Sequence, residues 1–193
     1  MALRNIIKVG DAALTKKCRK VTDFNQRLWE LLDDMYDTML EANGSGLAAS
    51  QVGILRRAAL VTAPAPIKED ASADTDEDED EDEEEYDEDI IELINPVILE
   101  VNGEQTGLEG CLSLPGVWGI VKRPMKVKIR AQNRYGEFFE AEGEGLTARA
   151  ICHEVAHLDG QMFTEVADRI LDSKELETLI AEREKKEGTE KPE

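Results

Sequence analysis

The chain has 193 residues, enough for one domain with a proper core, and a formal net charge of −20. That charge is local, because residues 69–89 hold 16 carboxylates and no Lys or Arg, which leaves about −4 for the rest. The acidic balance with no basic stripe argues against nucleic-acid reading, and the lack of a long apolar run or a basic-then-apolar leader argues against a membrane span or a secretory signal. Cys18, Cys111 and Cys152 are a sparse, odd set that suits a reducing cytoplasm rather than a disulfide framework.

Residues 1–20 carry little pattern, and Cys18 reads as structural. From Phe24 the apolar residues Leu28, Leu31, Leu32, Met35, Met39 and Leu40 recur at helical spacing. They predict a long amphipathic helix over 24–43, capped by Thr22 or Asp23 and stopped at Asn43-Gly44. Gly44-Ser45-Gly46-Leu47-Ala48-Ala49-Ser50-Gln51-Val52-Gly53 is a glycine-rich turn leading to a lone polar glutamine. Such a turn lets backbone approach a ligand closely, but no Lys-Ser/Thr follows to make it a phosphate loop.

Arg57–Thr62 and Ile90–Val101 read as paired strands with the acidic run between them. A run of like charge cannot bury itself and is expected as a disordered loop insertion over 69–89. Gly107–Gly116 contains an apolar strand end carrying Cys111. Val117–Ile120 and Val127–Ala131 continue as strands, Asn133–Glu137 as a hairpin turn, and Phe138–Ala141 as its return. Leu146–Cys152 predicts a helix with Thr147 as a possible cap and Gly160 as its stop, and Ser173–Lys186 a charged amphipathic helix.

The first of those helices carries His153-Glu154-Val155-Ala156-His157, which sets both histidines of the chain four residues apart around a glutamate. Residues i and i+4 share a helix face, so both rings can address one metal ion while Glu154, one step round, reaches a water. Such a site needs a third protein ligand. A third histidine is ruled out, since the position expected for it is Phe163. Glu175 or Glu177 from the last helix, or the thiolate of Cys111, remain open; Cys152 is rotated roughly 100° from His153 and fits poorly.

Three stretches, Gly44–Gln51, Glu109-Gly110-Cys111-Leu112-Ser113-Leu114-Pro115 and His153-Glu154-Val155-Ala156-His157-Leu158-Asp159-Gly160, resemble the three signature motifs of the peptide deformylases, in the family's order. The similarity covers residues 1 to about 185 apart from the acidic segment. One departure is Ala156, where the family commonly has aspartate, and it puts in question the carboxylate contact that steadies that turn and orients His157.

The resemblance implies an α+β fold: short antiparallel sheets around a central metal-binding HExxH helix, with a long N-terminal helix and a C-terminal helix. It implies one catalytic domain over 1–187, with 69–89 inserted and 188–193 a frayed tail. It implies a metal-dependent hydrolase that removes the formyl group from N-formylmethionyl peptides, the nascent chains, and releases formate. By the resemblance Cys111, His153 and His157 hold the metal, Fe²⁺ natively, with Zn²⁺, Ni²⁺ or Co²⁺ as substitutes. Glu154 is the acid–base residue, and the Gln51 side chain and Leu112 backbone N–H serve the oxyanion. The peptide adds as a strand near Gly46, and its methionine enters a pocket near Ser45, Leu146 and Ala150. Arg149 borders that pocket or makes a surface salt bridge, and Glu109 and Arg123 form either a supporting ion pair or a solvated one. The enzyme is expected as a cytoplasmic monomer, with a ribosome contact by family analogy. Two other readings are a zinc peptidase with a glutamate ligand, and an inactive relative whose acidic arm binds partners.

Overall fold

The structure is a computed structural model that describes residues 2–63 and 89–189. Helix α1 spans Gln26–Glu41. Its N-cap is Asn25, whose side chain accepts from the N–H groups of Arg27 and Leu28, rather than Thr22 or Asp23. Those two residues lie before the extended Asn25, too far upstream to reach the free N–H groups of the first turn. Leu28, Leu32, Met35 and Met39 are fully buried. Each such side chain contributes about 1.5–3 kcal/mol.

Strands β1 (Gly46–Ala48), β2 (Ala58–Ala63), β3 (Asp89–Asn102), β6 (Lys126–Gln132) and β7 (Phe138–Glu144) form a five-stranded antiparallel sheet in the order β1-β2-β3-β6-β7. Strands β4 (Gln105–Cys111), β5 (Leu114–Arg123) and β8 (Ala167–Asp172) form a second antiparallel sheet in that order. Helix α2 covers Gly145–Leu158 and α3 covers Ser173–Thr189. The large sheet is covered on both faces. Ala58 and Leu60 of β2 pack with α1, and the alternate Ala59 and Val61 pack with Ala148, Ile151 and Leu158 of α2. Burial on both faces explains why β2 reads as an unbroken apolar run, whereas β6 alternates, with Val127, Ile129 and Ala131 inward.

The acidic insertion lies outside the described residues except for Asp89, which opens β3 instead of closing a loop. Ala63 and Asp89 are register partners, so the chain leaves and re-enters at one end of a strand pair. Thr147 lies inside α2; the helix enters from an extended Glu144 through Gly145 at φ +58° and has no side-chain cap bond. Gly160 does follow the helix end, at φ +77°. A side chain there would also sit 2.8 Å from the backbone of Thr15. Helix α3 continues past Lys186, so Gly188 and Thr189, expected in the tail, are its last residues, and 190–193 lie outside the described residues.

Candidate metal centre and substrate cleft

Cys111 ends β4 beside a register irregularity between Glu109 and Cys111, and Cys111 pairs with Leu114 across a tight turn at Leu112-Ser113. That turn aims the thiol at α2, where His153 and His157 lie one helical turn apart with ring centroids 4.8 Å from each other. One donor atom from each of Cys111, His153 and His157 lies within 4.8 Å of the others. Cys111 Sγ is 3.2 Å from His157 Nε2. Glu175 is elsewhere: it accepts from Arg169 at 3.2 Å and from the Asp172 N–H at 3.0 Å, and Glu177 is exposed.

The donor set fits a divalent metal. A thiol and two imidazoles converge, and His153 Nδ1 is engaged by Glu109 Oε2 at 3.1 Å, which leaves Nε2 for coordination. The carboxylate behind that ring is held by a network. Arg123 Nε donates to Glu109 Oε1 at 2.8 Å and a second Arg123 nitrogen to Oε2 at 2.9 Å, while Arg149 donates to Oε1 at 2.9 Å. Glu109 and Arg149 are 4 % and 6 % exposed, so neither the solvated-pair reading of Glu109–Arg123 nor the surface bridge for Arg149 holds. Burial pushes the Glu109 carboxyl up, but Arg123 and the His153 ring outweigh it and hold the group at about 2. The two rings diverge. Burial disfavours the His153 cation, yet Cys111, Glu109 and Glu154 raise it overall, while burial and then the neighbouring His153 charge lower His157.

Glu154 is buried, its Oε2 lacks a hydrogen-bond partner among the described residues, and burial pushes its carboxyl up to about 7. Its carboxylate lies against Gly46: a Cβ there would be 2.5 Å from Oε1. Gln51 is buried in the turn after β1. Its Oε1 accepts from the Ala48 N–H at 2.8 Å, which turns Nε2 toward Cys111 Sγ at 3.5 Å and Ser113 Oγ at 3.4 Å. Gly44 abuts the side chain of Leu112, so the first and second motifs touch. The N-terminal segment laces them further: Ile7 donates to the Gln51 carbonyl and Val9 to that of Ser113, both at 2.9 Å.

Beside these groups opens a cleft of about 1000 Å³ bordered by Ser45, Gly46, Leu112, Leu146, Ala150 and Trp118. Leu146 is 80 % exposed on its rim, an apolar side chain held in the open. The described part of the chain therefore combines a three-donor centre, an unpartnered buried carboxylate, an amide aimed at the thiol and an apolar cleft.

A sequence profile described as polypeptide deformylase matches residues 3–173. The chain belongs to the polypeptide deformylase family. A peptide deformylase of Caldicellulosiruptor bescii is 48 % identical over 177 residues, covering 92 % of this chain and 93 % of that protein. The crystal structure of peptide deformylase from Thermotoga maritima superposes with a TM-score of 0.73 at 30 % identity, covering 88 % of this chain and all of the other. A Met-Ala-Ser-bound class I type b peptide deformylase from Acinetobacter baumannii gives 0.71 at 32 % identity, covering 86 % and 98 %. The family's reaction, metal-dependent hydrolysis of the formyl group from nascent chains, is accordingly this chain's reaction.

Sequence reasoning brought forward the donors, Glu154, Gln51 and the cleft residues, which the structure gathers around one point. It missed Ser113, fully buried beside Gln51, and Ser50, whose hydroxyl donates to the His157 carbonyl at 3.3 Å. It also paired Glu109 with Arg123 without seeing the His153 contact, 44 residues away in sequence. At Ala156 no carboxylate is available, and His157 Nδ1 is buried without a partner among the described residues.

Proposed function

We propose that Cys111, His153 and His157 bind a catalytic divalent metal, Fe²⁺ natively, and that Glu154 performs the proton transfers of deformylation. The single observation that carries this is the convergence of one thiol and two imidazoles within 4.8 Å beside a buried, unpartnered carboxylate. The bound metal would supply a Lewis acid that acidifies water and polarises the formyl oxygen. Glu154 takes the proton of the attacking water and returns it to the departing amine nitrogen, so formate and a free N-terminus result. A carboxyl lifted to about 7 by burial suits a group that must both accept and donate near neutral pH.

Gln51 Nε2 and the Leu112 backbone N–H donate to the oxyanion that develops on the formyl oxygen. Loss of one such donor costs roughly 10²–10³ in rate. The Ala48 hydrogen bond to Oε1 supports the role of Gln51, since it leaves the amide N–H₂ no choice but to face the centre. Among the described residues strand β1 is an edge of the large sheet with no strand on its outer side, which supports pairing of a peptide along Gly46. The formylmethionine side chain enters the apolar cleft among Ser45, Leu146 and Ala150.

Cys111, His153, His157 and Glu154 all come from one chain, which supports action as a monomer. A cytoplasmic location follows from the nascent-chain substrate, and among the described residues no helix is long and apolar enough to cross a membrane. A ribosome contact, by family analogy, completes the reading. The test of the ligand set is Cys111→Ser. It should abolish stoichiometric metal binding at micromolar concentration, measured by metal analysis after dialysis, whereas full retention would restore a glutamate-ligand reading.

A further inference from the structure

We infer that Arg149 is a positioning residue that holds α2 against the three-stranded sheet so that the donors of the metal site meet; this rests on Cys111, His153 and His157 being the ligands. The three donors come from two bodies. Cys111 ends β4, in the small sheet, while both histidines ride on α2, which packs on the large one. Their separation is therefore set by how the helix seats against the small sheet.

Arg149 lies one turn before His153 on α2. Its guanidinium donates to Glu109 of β4 at 2.9 Å and to the Val121 carbonyl of β5 at 3.1 Å. Arg123 binds the same Glu109 carboxylate more fully, but it comes from β5 of the same small sheet and cannot tie that sheet to the helix. Glu109 in turn holds His153 Nδ1. Arg149 and His153, both on α2, thus grip one carboxylate of β4, and the His153 ring takes its orientation from that grip.

Two further features single out Arg149. Among the described residues its second terminal nitrogen is buried with no hydrogen-bond partner, a cost that an apolar residue at this helix position would avoid. Gly107 of β4 forms the floor under the guanidinium: a Cβ there would stand 3.0 Å from that nitrogen and 3.3 Å from the guanidinium carbon. Gly107 does not have a positive φ, so space, not backbone conformation, is what requires glycine.

The experiment compares wild type, Arg149→Met, Arg149→Lys, Gly107→Ala and the Arg149→Met/Gly107→Ala double variant, each loaded with Co²⁺. The readouts are the visible Co²⁺ spectrum, the rate of Co²⁺ loss to a chelator, kcat and KM on formyl-Met-Ala-Ser, and thermal unfolding. Arg149→Met should lose Co²⁺ about 10–100-fold faster, with a changed spectrum. Its kcat should fall while KM stays within about twofold, and Arg149→Lys should recover part of the loss. Gly107→Ala should act in the same direction more weakly, and should do nothing further in the Arg149→Met background.

A wild-type spectrum and loss rate in Arg149→Met, with only the melting temperature lowered, would overturn the proposal. So would a rise in KM alone, which would make Arg149 a substrate contact. If Arg149→Met does not fold, Gly107→Ala decides by the same readouts, because it retains the guanidinium and displaces it slightly. A Co²⁺–thiolate absorption band missing from wild type, or surviving Cys111→Ser, would remove the ligand assignment and this proposal with it.

Discussion

At the scale of single residues, Gly46 and Glu154 show how a backbone position serves a reacting group. The hydrogen on Gly46 is what lets the Glu154 carboxylate lie where it does, since a methyl group would stand 2.5 Å from Oε1 and 2.9 Å from Cγ. Gly46→Ala should therefore fold normally yet displace the carboxylate, lowering kcat by about 10²-fold, in the range of misplaced acid–base groups. Steady-state kinetics beside a thermal melt checks this: unchanged kcat in a folded Gly46→Ala would show that the contact has no role in the chemistry. The histidines were legible from sequence because helical spacing fixes i and i+4 on one face. The support behind them was not, because Glu109 reaches His153 through strand pairing and sheet-to-helix seating, which no local pattern encodes.

At the scale of elements, the sequence exposed those with a clear period or an unbroken apolar run and hid those with neither. Helix α1 and strand β6 carry apolar residues at clear intervals. Strand β8 buries only Leu171 of its six residues, and β1 is three residues within a glycine-rich turn, so neither offers a period to read. The β2–β3 pair makes its own prediction. Because Ala63 and Asp89 are register partners, residues 64–88 can be replaced by Asn-Gly, which closes a two-residue hairpin. The change removes 15 carboxylates and one lysine, taking the net charge from −20 to −6. Deformylation kinetics within about twofold of wild type are expected, since strand pairing and the site are retained. A drop in kcat of tenfold or more would tie the acidic segment to catalysis.

At the scale of the whole molecule, the site exists only where three distant stretches are brought together: the turn after β1, the end of β4 and the helix α2. The three stretches together, in their order, carried the resemblance and predicted a shared centre. What the order could not convey was the seating of two sheets on one helix, the buried strut at Arg149 and the open apolar rim at Leu146. The central claim is that Glu154 moves the protons at this centre. Formate release from formyl-Met-Ala-Ser, measured without oxygen for wild type and Glu154→Gln at equal metal content, tests it most directly. Release by the wild type with a loss of about 10²–10⁴-fold in the variant is the predicted result. Comparable release from Glu154→Gln, or none from a fully metallated wild type, would contradict the account.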